Sequence, residues 1–215
     1  PPPLALSTPG GSAHAQVVLG DGVTVPVTSL REVPFKTVVR QKYDYSCGSA
    51  AVGTLLSYHY GRPVNEAAVF KAMYAAGDKR AIRRLGFSLF DMQTYLKSLG
   101  LKSDGYKTSL DKLQKAKVPA IAVIRQGAYS HFVVIKGVQN DLVLVGDPSR
   151  GLKAYPRHEF EAMWDGVLFV VQGPEGAFNR EDEWGWHRPG AGWQPGGHAY
   201  RSVYPGPLGA VLTPL

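Results

Sequence analysis

The chain has 215 residues, of which 44% are hydrophobic and 19% charged; that is enough for one cored domain with appendages and too apolar for global disorder. Its single cysteine, Cys47, excludes an internal disulfide framework and any metal site built on two or more thiolates. The formal charge of +7, from 24 Lys and Arg against 17 Asp and Glu, admits an acidic partner. Its densest basic run (Lys79, Arg80, Arg83 and Arg84, beside Asp78) reads as a solvated loop or helix face with no nucleic-acid motif, so no nucleic-acid partner is expected.

Residues 1–14 are rich in Pro, Gly and Ser and read as a flexible lead-in. No apolar run reaches the length of a membrane span. The chain starts at Pro1 with no basic segment leading into an apolar one, so the expectation is that a preceding piece, such as a signal peptide, has been removed. Val17–Leu19 and Val23–Val25 flank Gly20-Asp21-Gly22, which predicts a hairpin. An extended stretch, Phe35 to Val39, leads towards Gln41.

Residues 46–60 predict a helix: Ser46 can cap it, Ala51, Leu55 and Tyr58 recur at helical spacing, and Gly61 and Pro63 stop it. A second helix runs from the N-cap Asn65 to Gly77, with Val69 and Met73 on one face. A third starts at Ser88, with Asp91 completing a capping box and Leu89, Met92, Leu96 and Leu99 on its apolar side. Thr108 and Asp111 read as another capping box, before a short helix closed by Pro119.

The period then changes. Ala120–Ile124, His131–Lys136, Leu142–Val145 and Val167–Val171 are short β-rich runs separated by turn residues, and only a helical stretch at Glu159–Trp164 interrupts them. Helices segregated before strands predict an α+β fold, a helical layer packed on an antiparallel sheet. The expected domain lies at 15–172, with the N-terminal hairpin included. From Gly173 the last 43 residues hold nine Gly, six Pro and Trp184, Trp186 and Trp193. This Gly/Pro/Trp-rich extension at 173–215 excludes regular structure, and the cost of leaving three indoles in water favours partial docking on the domain.

Cys47 stands at a predicted helix start, where the dipole and unpaired N–H groups stabilise a thiolate. Gly48, Ser49, Ala50 and Ala51 would leave room for a substrate backbone. By position alone, a small buried hydrophobe is the favoured reading of Cys47. His131 opens one predicted strand and Asp147 closes the next, in Asp147-Pro148, where turn initiation is the plain alternative. A hairpin turning near Gln139–Asp141 brings both to its open end, and a carboxylate there can hold an imidazole that exchanges a proton with a thiol. Gln41, six residues before Cys47, can donate to an oxyanion beside the Cys47 N–H. His59 lies about three turns along the Cys47 helix and is too far to take part. His14, His187 and His198 are too scattered for a metal site, and no phosphate loop or cofactor fingerprint is present, so neither metal nor cofactor is expected.

From about Pro34 to Val171 the chain resembles the C39 peptidases, papain-like cysteine proteases best known as leader-cleaving domains of bacteriocin exporters. The matching residues are Gln41-x5-Cys47-Gly48, Tyr58-x-Tyr60-Gly61, His131-Phe132-Val133-Val134, Asp147-Pro148-x2-Gly151 and Phe160-x3-Trp164-x-Gly166. The resemblance implies a papain-like fold, with Cys47 as nucleophile, His131 as general base and acid, Asp147 as the orienting carboxylate and Gln41 in the oxyanion hole. The stretches Asp44–Cys47 and Gly86–Met92 look like stand-alone C39-like proteins of bacterial functional-amyloid export systems. That likeness implies a protein or peptide substrate, export-system partners and a periplasmic or otherwise exported location. Two rival readings share these residues: a substrate-binding or chaperone module on the same scaffold, and acyl transfer to an amine in place of water.

Overall fold

A computed structural model describes residues 15–18, 24–27, 29, 31–127, 129–139 and 141–172. The lead-in at 1–14, the turn at Gly20–Gly22 and the extension from Gly173 with its three tryptophans lie outside the described residues. Two compact units are present, residues 1–33 and 34–215. In the first, β1 (Ala15–Val18) pairs antiparallel with β2 (Thr24–Val27), the hairpin that the two β-branched runs predict.

The second unit carries α1 (Cys47–His59), α2 (Glu66–Ala76), α3 (Lys79–Leu85) and α4 (Leu89–Ser98), then β3 (Lys102–Lys107) and α5 (Leu110–Ala116). There follow β4 (Ala120–Gln126), β5 (Tyr129–Gln139), β6 (Leu142–Asp147), β7 (Gly151–Pro156), α6 (Arg157–Met163) and β8 (Trp164–Gln172). Six strands form one sheet in the order β3-β8-β4-β5-β6-β7, antiparallel throughout. The architecture is the α+β one that the change of period predicts.

Both sheet faces are buried, by different layers. Alternation along the strands sends Ile121, Val134 and Phe169 against Leu55, Leu56, Met73 and Met92 of the first helices. The opposite face carries Ile124, Val133, Ile135 and Val145 against Leu113 of α5 and Phe160 of α6. Leu55, Leu56 and Phe160 are completely buried, and each such side chain contributes about 1.5–3 kcal/mol relative to exposure.

Local chemistry sets the helix ends. The Asn65 side chain accepts from the Ala67 N–H at 2.8 Å, and Ser88 and Asp91 form the full capping box. The basic run is α3 itself, capped by Asp78, whose Oδ1 accepts from the Arg80 and Ala81 N–H groups. The cap of α5 is Ser109 and not Thr108: the Lys112 N–H donates to the Ser109 hydroxyl, while the Thr108 N–H is taken by the Gly166 carbonyl.

The stretch at Phe35–Val39 is not a strand. One 3-10 turn covers Val33–Phe35, and the chain then crosses α1. The Val39 N–H donates to the Thr54 hydroxyl at 2.9 Å, and the Gln41 N–H to the Pro148 carbonyl at 3.0 Å.

Pro34 lies against Gly151, where an added Cβ would fall 2.4 Å from the Pro34 Cβ and 2.5 Å from its carbonyl oxygen. Gly151 also has φ +84°, so a Gly151→Ala change meets both left-handed strain and backbone overlap. We expect it to lower stability by about 2–4 kcal/mol, read as a shifted urea midpoint. An unchanged midpoint would show that the Pro34 segment yields freely.

Candidate active site

Cys47 is the first residue of α1 and is 3% exposed. Ser46 holds the N-cap position without capping. Its hydroxyl accepts from the Tyr43 N–H at 3.1 Å and donates to the Tyr43 carbonyl at 2.9 Å. The local turn has captured the hydroxyl, so the positive end of α1 stays without a side-chain cap beside the sulfur. Gly48 does not leave room for a substrate. A Cβ there would fall 2.8 Å from Met92 Cε and 2.9 Å from Phe87 Cβ, so its bareness lets α1 pack on the start of α4. Ser49, Ala50 and Ala51 are likewise fully buried.

His131 Nε2 lies 2.8 Å from Asp147 Oδ1, with both side chains almost wholly buried. The ring is also within hydrogen-bonding reach of Cys47, and with Nε2 engaged by the carboxylate, Nδ1 is the atom left for sulfur. A register shift makes this geometry possible. Near the turn Val138 pairs Val143 and Gly137 pairs Leu144, but Ile135 pairs Val145 and Val134 pairs Gly146. The register therefore shifts at Lys136, which forms a bulge in β5. Unbroken pairing from the turn would set Asp147 opposite Val134. The bulge sets it opposite Val133, on the face His131 shares, because one residue of slip reverses every side chain.

Asp147 Oδ1 also accepts from the Ser149 N–H at 2.8 Å and the Ser149 hydroxyl at 2.7 Å. The turn role and the histidine role of this carboxylate thus coexist on one oxygen. Burial favours its neutral acid, but the bonds from His131 and Ser149 outweigh that and hold the carboxyl below its ordinary range. For His131, burial disfavours the imidazolium. Hydrogen bonds to Asp147 and Cys47, reinforced by their charges, win and push it up to about 9.

Gln41 is carried to the mouth of α1 by its N–H bond to Pro148, the residue after Asp147. Its side-chain Nε2 donates to the Tyr43 carbonyl at 3.1 Å. A primary amide has two N–H donors, and the Tyr43 carbonyl takes one. The His59 side chain is buried at the far end of α1.

Tyr129 was not singled out in the sequence. Its ring is 6.2 Å from the His131 ring, and its hydroxyl donates to the Asp44 carbonyl at 2.6 Å while standing within reach of Cys47. Burial and negative charge at Cys47 push this phenol up to about 12, so it remains a donor at neutral pH. The signal existed: two residues before His131 on one strand means the same face.

Among the described residues, no group of three or more His, Cys, Asp or Glu could hold a metal ion, and no helix is long and apolar enough to cross a membrane.

The model of the Peptidase C39 family matches residues 36–175. A relative from Pseudomonas aeruginosa, described as a probable functional amyloid protease FapD, is 42% identical over 169 residues, or 78% of this chain and 75% of the relative. Among solved structures, the peptidase domain of Streptococcus ComA, a bifunctional ABC transporter of a quorum-sensing pathway, superposes with TM-score 0.55 at 20% identity, over 63% of this chain and 96% of that one. A double-glycine-motif protease from an AMS/PCAT transporter, solved with its leader peptide, gives 0.52 at 24% identity, over 62% and 89%. At those identities the two structures speak for the fold.

Proposed function

We propose, for a chain that belongs to the peptidase C39 family and is a cysteine peptidase, that Cys47, His131 and Asp147 are its catalytic triad and that Gln41 serves the oxyanion. The observation that carries this reading is one buried cluster, in which His131 bonds Asp147 through Nε2 at 2.8 Å and its ring stands within hydrogen-bonding reach of Cys47.

In this mechanism His131 takes the thiol proton and the Cys47 sulfur attacks the scissile carbonyl carbon. The carbonyl electrons move to oxygen, where the Cys47 N–H and the second amide N–H of Gln41 donate. The imidazolium returns its proton to the leaving nitrogen, the C–N bond breaks and a thioester remains. Water, deprotonated by His131, then releases the acid and the free thiol. Asp147 keeps the imidazole in one orientation and stabilises its cationic form throughout.

The substrate, on this reading, is an exported protein of a bacterial functional-amyloid system, and the enzyme works in the periplasm or otherwise outside the cytoplasm. The Pseudomonas relative's description as a probable functional amyloid protease supports the substrate class. The test incubates parent and Cys47→Ala proteins with purified amyloid subunits and maps new termini by mass spectrometry. A terminus made by the parent alone supports the reading. A terminus made equally by both would remove Cys47 from the chemistry. The same termini show whether the cut follows paired glycines, and a product extended by an added amine would reveal acyl transfer instead of hydrolysis.

A further inference from the structure

Lys136 is fully buried in the described structure, which is unusual for a lysine. It is the bulge residue of β5, the strand that carries His131. Its ammonium donates to the Thr37 carbonyl at 2.7 Å and lies 5.4 Å from the centroid of the Tyr58 ring on α1. Space for its stem comes from Gly146, where a Cβ would fall 3.2 Å from Lys136 Cδ and 3.2 Å from Val38 Cγ2.

The Thr37–Gln41 segment belongs to no strand, so its backbone groups need partners from elsewhere. Three are found at alternate residues: Lys136 on the Thr37 carbonyl, the Thr54 hydroxyl on the Val39 N–H, and the Pro148 carbonyl on the Gln41 N–H. The last two fix the segment to α1 and to the loop after Asp147. Lys136 fixes it to the histidine strand. A methionine would fill the same volume without the cost of desolvating an ammonium, so packing alone does not account for a lysine.

We propose that Lys136 is a positioning residue for the oxyanion side of the site, holding the segment that delivers Gln41 against the strand that delivers His131. The proposal rests on the role assigned to Gln41 above.

Two reactions of Cys47 separate this role from a general one. With p-nitrophenyl acetate the sulfur attacks a carbonyl, an oxyanion forms, p-nitrophenolate leaves and a thioester remains. With iodoacetamide the sulfur displaces iodide at a saturated carbon and no oxyanion forms. Gln41→Ala is expected to slow acylation about a hundredfold and Lys136→Met about tenfold, each with alkylation within about twofold of the parent. Added to Gln41→Ala, Lys136→Met is expected to change acylation no further. Equal losses in both reactions, or parental acylation in Lys136→Met, overturn the proposal. If Gln41→Ala itself acylates like the parent, the oxyanion reading falls and takes this one with it. If only Lys136→Met is unaffected, the reading of Gln41 stands and Lys136 alone loses its role. Lys136→Gln gives a second variant for the same readout, and failure of both to fold overturns the proposal by making the residue a core requirement.

Discussion

Cys47→Ala is expected to leave no measurable cleavage and an intact fold. The loss should be about 10⁶-fold in kcat, because no other group of the cluster can form the thioester. The side chain is buried at the first residue of α1, and its truncation costs about 1 kcal/mol in packing. The helix stays, since alanine is the best helix former. Circular dichroism and a urea midpoint near the parent's, together with the lost activity, are the expected pair of results. Residual parental cleavage would move the nucleophile elsewhere, and a collapsed midpoint would mean that the cysteine is chiefly core.

Asp147→Asn is expected to lower kcat by roughly two to four powers of ten and to reshape the pH profile. His131, pushed up to about 9 by Asp147 and Cys47 against the effect of burial, keeps its proton for the leaving amine until the pH passes that value. The alkaline limb of the parent's kcat should therefore fall near 9. An amide offers no charge to the imidazolium, so in Asp147→Asn the limb should move down towards about 6.5, the ordinary histidine value.

Stability follows the same groups. A histidine raised in the folded state contributes stability that is complete below its unfolded value of about 6.5 and lost as pH climbs through about 9. A carboxyl held low contributes stability that is present above about 3.9 and lost as pH falls through its lowered value. The pair thus stabilises most between about pH 4 and 6.5. The melting difference between parent and Asp147→Asn should be larger at pH 5.5 than at pH 9.5. An unmoved alkaline limb would leave Asp147 with only its turn.

Elements with a one-dimensional signature were legible in the sequence. Asn65 and Ser88 begin helices by bonding N–H groups two or three residues on, and a local hydrogen bond is visible in local sequence. The β-branched runs at 120–124 and 131–136 are strands because both of their faces are covered. By contrast, β3 reads Lys-Ser-Asp-Gly-Tyr-Lys with five of its six residues exposed. It is the sheet's edge, held by its ladder to β8, and a polar edge strand leaves no hydrophobic period to read. Likewise β7 owes its place to pairing with β6.

For the site, the order Gln41, Cys47, His131, Asp147 and the hairpin between the last two could be read from the residues. Which face Asp147 takes could not, because a bulge is a property of two strands together. Ser46 shows the same limit: its residue type suits a cap, but a turn three residues back competes for the hydroxyl and wins.

The bulge at Lys136 also sets a conflict between the sheet and the enzyme. Deleting that one residue would let β5 and β6 pair without interruption and spare the fold a buried ammonium. By every local measure the hairpin would improve. The ladder would close with Val134 still opposite Gly146, so Asp147 would keep the face of His131, and the loss would be the ammonium that holds the Thr37 carbonyl. A screen of this region for thermal stability would therefore enrich proteins with an intact Cys47–His131–Asp147 cluster and a released Gln41 segment, and a deletion at this position separates the demands of the sheet from those of the oxyanion side.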